Sequence, residues 1–393
     1  MKRKNLNKFE KRRRVALLAL IVIVLIIILI IILAGSDKHK VPEKVSLLLN
    51  NKLTELKKEM YVENDEIYIS KEDIVNLFDD TLYYNEAEKE LITTYNTHIA
   101  LLKVNETFMI LNDSNVELKG CLTEKNDTVY LPLSDMGIVY DVDVEYSAEY
   151  NRVILDSTKE EKKRSITLKK TTVYEKASTF SKKVEKVNMS EYVMVLGTEK
   201  NFKKVRTENG NIGYIKTKRI SNEETIREKM TEQKVEFNVL KDVNEKNYSS
   251  AEVNSDKQNV VIPTYFTLDK EQKIIDKTNS KTDNFNKFVE WTNENNIQIW
   301  PTITNLANVS ENLLTYTQRN NVINNIYQYL MQHQFQGICI NFEKIDDWNS
   351  FNRFLIELKP KLKESGLKLG IIYNSGNIEK EKVENIADLL IEQ

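Results

Sequence analysis

The sequence predicts a multidomain chain: one apolar N-terminal helix, a small α+β domain, a small β-barrel and a C-terminal unit of the (β/α) barrel type. Three observations predict it. The run from Val15 to Ala34 has no charge and no hydrogen-bonding side chain. Short alternating apolar stretches, separated by Asn, Asp and Gly, then continue to about residue 220. Beyond residue 235 apolar strands alternate with amphipathic helices, the pattern of a parallel sheet covered by helices.

At about 1.5 Å of rise per residue the apolar run spans roughly 30 Å, the thickness of a bilayer hydrocarbon core. Ahead of it stand Lys2, Arg3, Lys4, Lys8, Lys11, Arg12, Arg13 and Arg14 against one acid, Glu10. Basic flanks stay in the cytoplasm. The expectation is therefore a cytoplasmic tail at 1–14, a transmembrane signal anchor at 15–34 and all later residues outside the cell membrane. A cleavable signal peptide would have an apolar region of only about 7–15 residues and a small-residue cleavage site. Leu33 to Ser36 mimic such a site only weakly, so the helix is expected to be retained.

The chain balances 57 basic against 59 acidic residues, and setting the basic tail aside leaves an acidic remainder. Such a remainder lacks the basic footprint of a nucleic-acid binder. Cys121 and Cys339 lie far apart, and His39, His98 and His333 show no ligand spacing. No disulfide framework, metal site or cofactor is expected.

Between residues 45 and 157, strands are expected at Glu66–Ile69, Leu91–Tyr95, Thr107–Leu111, Thr128–Pro132 and Arg152–Leu155, with Asn/Asp turns between them. Two of these runs, beginning Tyr68-Ile69-Ser70 and Tyr130-Leu131-Pro132, echo one another. Each leads into a short helix that a serine, Ser70 or Ser134, could cap. The segment resembles the copper amine oxidase N-terminal-like domain, a stalk module of bacterial surface proteins. The resemblance implies a spacer or wall contact and no copper, since no copper ligands stand in it.

Glu160–Arg164 reads as a charged linker. Residues 164–221 follow, with strands at Glu191–Leu196 and Phe202–Arg206 and a hairpin from Lys204 to Ile215. Gly210 and Gly213 supply the freedom a tight turn needs. This segment resembles a bacterial SH3 domain, with Phe202 where the family usually has tryptophan. The resemblance implies either a spacer or a binder of wall peptides. Ser221 to Lys234, polar and charged, reads as a linker helix.

In residues 235–393, strands are expected at Glu236–Leu240, Asn259–Pro263, Ile297–Ile303, Gly337–Phe342 and Leu367–Tyr373, and a sixth at Asp388–Ile391. Trp348, Phe351, Phe354, Leu355, Leu358 and Leu362 recur at helical spacing. In such barrels, active residues sit at the C-terminal ends of strands. There the fourth strand reads Gly337-Ile338-Cys339-Ile340-Asn341-Phe342-Glu343. This resembles glycoside hydrolase family 18, whose fourth strand reads DGxxxDxE. Pro263–Leu268, Val289–Trp291, Ile299–Pro301 and Phe354–Leu358 extend the likeness to its spore-germination and wall-hydrolase branch.

The resemblance implies a substrate-assisted mechanism, in which the sugar's own N-acetyl group attacks. Glu343 takes the position of the general acid. Asn341 stands at the acetamide-orienting position in place of aspartate, Cys339 replaces the mid-strand acid and Gln336 the first aspartate. Strand alternation is expected to aim Asn341 and Glu343 into one barrel mouth. Trp300, Tyr265 and Tyr373 are candidates for stacking on sugar rings. The implied ligand is β-1,4-linked N-acetylglucosamine polymer, peptidoglycan or chitin-like.

Two readings remain open: a weak retaining glycosidase, or a wall-binding scaffold without turnover. A complete eight-fold barrel typically takes about 250 residues, so the segment 235–393 is expected to be an incomplete barrel. Its open strand edges would be covered by a partner protein or a further segment.

Overall fold

The computed structural model describes residues 22–24, 41–231, 234–278, 282–374 and 376–393. The expected tail and transmembrane helix lie outside these residues, except for Val22 to Val24, which are helical. Among the described residues, no helix is long and apolar enough to cross a membrane.

Residues 46–157 are built around a duplicated hairpin. Strands Tyr61–Glu63 and Glu66–Ser70 are joined by Asn64 and Asp65, both at positive φ, and lead into the helix Lys71–Leu77. Strands Thr123–Lys125 and Thr128–Pro132 repeat this with Asn126 and Asp127, again at positive φ. Asn and Asp tolerate that left-handed conformation better than most residues. The copies pair antiparallel about a local two-fold, Ile69 opposite Leu131 and Tyr68 opposite Pro132. Asp73 accepts from the amides of Lys57 and Lys58, and Asp135 from those of Lys119 and Gly120.

Ser70 caps its helix as expected, accepting from the Asp73 amide. Ser134 does not. It lies inside the helix Leu133–Met136, where its amide donates to Glu66 Oε1. A five-stranded antiparallel sheet from Tyr83 to Glu117 and a four-stranded sheet, in which Ser46–Leu49 pairs parallel with Arg152–Ser157, complete the domain.

The second domain is a seven-stranded sheet running from Lys162–Ile166 to Glu224–Arg227. Both expected linkers contribute a strand to this sheet. Lys162–Ile166 pairs with Glu224–Arg227 and with Tyr192–Glu199, so open backbone edges are satisfied by segments that composition marks as solvated. Gly210 has the expected positive φ of 77°. Gly213 does not. A Cβ there would meet the Tyr174 carbonyl oxygen at 2.5 Å, so close backbone approach is what requires it.

The two domains meet through Arg206, which forks onto Asp156 with contacts of 2.6 and 2.5 Å. Lys162 Nζ lies 3.0 Å from the same carboxylate.

In the C-terminal unit we label the strands β1 (Phe237–Leu240), β2 (Gln258–Val261), β3 (Thr264–Leu268), β4 (Ile274–Asp276), β5 (Gln298–Ile299), β6 (Thr302–Asn305), β7 (Gly337–Ile340), β8 (Lys368–Tyr373) and β9 (Leu389–Glu392). The three long helices are α1 (Asp283–Glu294), α2 (Tyr316–His333) and α3 (Trp348–Glu364). Pro263 and Pro301 cannot donate to a ladder, so β2/β3 and β5/β6 are two strands each interrupted by proline. Their carbonyls still accept, Pro263 from the Thr302 amide at 2.8 Å and Pro301 from the Cys339 amide at 3.0 Å.

The result is a run of six parallel strands in chain order, with β4 added as a hairpin. Ile303, Ile338, Ile340, Leu369 and Ile371 face the helices and pack on Ile326, Leu330, Phe351, Phe354 and Leu358. The opposite face curls round its own cluster of Val260, Trp300, Cys339, Ile372 and Ile391. Among the described residues, β1 and β9 each pair along one edge only.

The helix layer is pinned by a buried carboxylate. Glu357 of α3, 1 % exposed, takes Arg319 of α2 in a fork of 2.8 and 2.9 Å. Arg353 reaches the same group at 3.1 Å and donates to the Thr81 carbonyl of the first domain.

Removing one member of such a pair strands the other charge in the interior. Glu357→Gln is therefore expected to cost about 3–5 kcal/mol, read as a lower urea midpoint.

Asp156 yields a pH prediction. Burial pushes its pKa up, but the Arg206 hydrogen bonds and charge, with Lys162, hold it below the ordinary 3.8. A depressed folded-state pKa stabilises fully above the unfolded value, and that contribution is lost as pH falls through the folded value. The stability difference between wild type and Asp156→Asn is expected to be constant from pH 7 to 5 and to shrink below about pH 4. Thermal melts across that range check it.

Candidate functional site

The C-terminal ends of the parallel strands open into a cavity of about 650 Å³. Thr264, Thr302, Asn341 and Ile372 line it from the strands, and Lys241 to Lys246 form one side. Ile391 to Gln393 form the other, and Lys241 Nζ crosses to the Glu392 carbonyl at 3.3 Å. The floor is apolar. Below it lie Cys339 and Trp300, both fully buried.

Strand register explains the depth of each group. Cys339 stands opposite Thr302 of β6 and Gly370 of β8. Two residues on, Asn341 extends the ladder by donating its amide to the Ile303 carbonyl at 2.9 Å. Its side chain lines the cavity on the same face as Cys339, one layer nearer the mouth. Burial pushes the Cys339 thiol well up, so it stays neutral and acts as a small apolar residue. Gln336, at the opposite end of the strand, accepts from the Ile299 amide at 2.9 Å and ties β5 to β7.

Glu343 departs from expectation. It is exposed and does not line the cavity that Asn341 enters. The ladder ends at Asn341, so strand alternation no longer dictates direction. Asn305, 5 % exposed at the end of β6, takes over instead. Its Oδ1 accepts from the amides of Glu343 at 2.9 Å and Lys344 at 3.3 Å, and its Nδ2 donates to the carbonyls of Ala307 and Lys344. Asn377 donates to the Phe342 carbonyl from the other side. Sequence reasoning missed both asparagines. The available signal was an Asn closing a parallel strand, a weak one.

Of the three stacking candidates Tyr265 lines the cavity, whereas Trp300 and Tyr373 need correction. Trp300 is fully buried in the strand-enclosed cluster, edge-on to Phe237 at 4.9 Å, with Nε1 bound to Gln298 Oε1 at 2.9 Å. No ligand in the mouth reaches its face. Tyr265, 4 % exposed, packs its ring against Phe285 and Phe335. It still lines the cavity, where its hydroxyl donates to Glu245 Oε2 at 3.2 Å. Burial, then the Glu245 charge, push that phenol well up. Tyr373 packs on the helix-side core and is no part of the cavity lining. Among the described residues, no three His, Cys, Asp or Glu side chains group as metal ligands.

Two family models match the chain. The copper amine oxidase N-terminal domain matches residues 48–155, and the bacterial SH3 domain matches residues 169–221. No curated protein matches it. Similar solved structures include a candidate sporulation-specific glycosylase of Bacillus subtilis, at 22 % identity and a TM-score of 0.29 over 33 % of this chain and 47 % of that one. A chitinase of Chromobacterium violaceum is similar at 14 % identity and 0.32, over 41 % and 56 %. A spore cortex-lytic enzyme of Bacillus megaterium is similar at 14 % and 0.30, over 44 % of each chain. The chain thus spans about half the length of these structures. At these scores the likeness bears on neither activity nor ligand.

Loss of the Asn305 carboxamide leaves two backbone amides and two carbonyls to find new partners. Asn305→Ala is expected to cost about 1–3 kcal/mol and to speed amide hydrogen exchange at Glu343 and Lys344 selectively. Unchanged exchange there would show that the loop holds itself.

Proposed function

We propose that this chain is a membrane-anchored wall-glycan-binding protein. In this reading its barrel mouth holds β-1,4-linked N-acetylglucosamine polymers without efficient turnover. The basic tail and the apolar run from Val15 to Ala34 support the anchor. Support for the ligand comes from the family 18-like motif of residues 337–343, on the fourth of six parallel strands.

The observation that carries the reading is the amide of Asn341 lining the mouth while Glu343 stands exposed outside the lining. An amide can hydrogen-bond an acetamide group. It offers no negative charge to the cationic ring that substrate-assisted cleavage creates. Loss of a preorganised electrostatic partner of this kind costs about 10²–10³ in rate. A general acid must also lie within hydrogen-bond reach of its leaving oxygen, and Glu343 does not line the cavity in which that oxygen would sit.

The test is titration of the full chain in detergent with N-acetylglucosamine oligomers, alongside product analysis. Saturable binding without product is expected from wild type, and Glu343→Gln should bind equally well. Turnover by wild type that Glu343→Gln abolishes would replace binding by hydrolysis. Absence of binding would overturn both.

A further inference from the structure

A second cavity, of about 570 Å³, lies between the first domain and the barrel helices. One wall is formed by the strands Tyr83–Asn85 and Glu90–Tyr95. The other is formed by the first turns of α2 and α3, whose caps are Thr315 and Asp347.

The walls are fixed to one another on several sides. Arg353 donates to the Thr81 carbonyl. Lys361 Nζ meets Asp113 Oδ2 at 2.9 Å and Asn320 Nδ2 meets its Oδ1 at 3.1 Å. Tyr316 packs against Ile92, Ile99 and Leu101. These contacts frame the cavity and hold it preformed, as small-ligand clefts generally are.

The chemistry of the lining is selective. Its two cations, Arg319 and Arg353, are committed to Glu357. Among its acids, Glu90 is paired with Lys103 at 2.7 Å and Asp347 accepts from the first amides of α3. With Glu357 and Lys103 included, three cations (Arg319, Arg353 and Lys103) stand against four carboxylates (Glu88, Glu90, Asp347 and Glu357), so a polyanion meets a net negative cleft.

Among the lining are planar groups that a sugar can contact. Tyr83 is 42 % exposed, with the Arg353 guanidinium over one face of its ring, 5.6 Å from the centroid. Asn349 and Asn352 lie across from it on α3. Amides offer donors and acceptors together, and the flat ring suits the apolar C–H face of a pyranose.

We propose that this interdomain cleft is a second saccharide-binding site, separate from the barrel mouth and selective for a neutral glycan strand. Because Tyr83 belongs to one domain and Asn349 and Asn352 to the other, neither domain holds the site alone. The first domain is then part of the binding machinery as well as a stalk.

Hydrogen–deuterium exchange on the full chain in detergent tests this, with the tetramer of N-acetylglucosamine as probe and an anionic glycerol-phosphate polymer as control. The tetramer is expected to protect segments 83–92 and 347–353, and the control is not. Tyr83→Ala should abolish that protection and weaken binding at the cleft at least tenfold. Tyr83→Phe should keep it, and an unchanged melting temperature confirms that both variants fold.

Asn341→Ala should leave cleft protection intact while reducing any protection at 241–246 and 391–393. Protection confined to those mouth segments, or surviving Tyr83→Ala in the cleft, overturns this site and spares the mouth. Protection confined to the cleft spares this site and counts against the mouth. Cleft protection by the anionic control would overturn the selectivity.

Discussion

Glu357 is the group on which the arrangement of the C-terminal unit turns. A carboxylate 1 % exposed is costly to desolvate, and it is tolerated only where donors surround it. Here two guanidinium groups do so. Their remaining donors go to the Leu313 and Leu314 carbonyls from Arg319 and to Thr81 from Arg353. A buried triad of this kind adds little net stability over an apolar replacement of equal volume. What it does is fix geometry, since four hydrogen bonds from Arg319 and three from Arg353 leave few alternative arrangements. That arrangement sets α2 against α3 and sets both against the first domain.

The same chemistry recurs at the other junction. Arg206 and Asp156 form a bidentate pair where the first domain meets the second, and Asn51 and Lys162 satisfy what remains of it. Segments that read as linkers are therefore drawn into structure. Arg227, in the stretch expected to be a helix, reaches Asp143 at 2.7 Å and the Ser157 carbonyl at 3.0 Å. Charged composition reads as a linker, whereas Arg227 meets its partners on the neighbouring domain.

Much of the fold was legible because strand and helix periodicities are local. Six parallel strands, the α3 stripe and the echoed hairpins all follow from spacing within a few residues. The site was legible only in part, for three physical reasons. Alternation assigns a face but not a depth, so Trp300 shares Asn341's side of the sheet while lying buried below the cavity floor. Tyr373 follows the inward-facing Ile372, so strand parity turns it to the helices, and the same arithmetic was available for it in advance. Glu343 lies past the last ladder hydrogen bond, where a side chain from another strand, Asn305, sets the course of the backbone. The docking of Arg353 on Thr81 had no local signal at all.

The replaced acids of the fourth strand can be argued one by one. A carboxylate at 339 would face Val260, Trp300, Ile372 and Ile391, with no donor among them to pay for its desolvation, whereas a thiol fits as an apolar filler. At 336 the amide does what a carboxylate could do only by half. It accepts from the Ile299 amide and donates to the Gln334 carbonyl at 2.7 Å. At 341 the amide meets a cavity whose deeper wall is Ile372, Ile391 and Ile262. Each neutral residue suits its immediate surroundings, and the carboxylates that do line the cavity, Asp242, Glu245 and Glu392, stand on its sides rather than on the fourth strand.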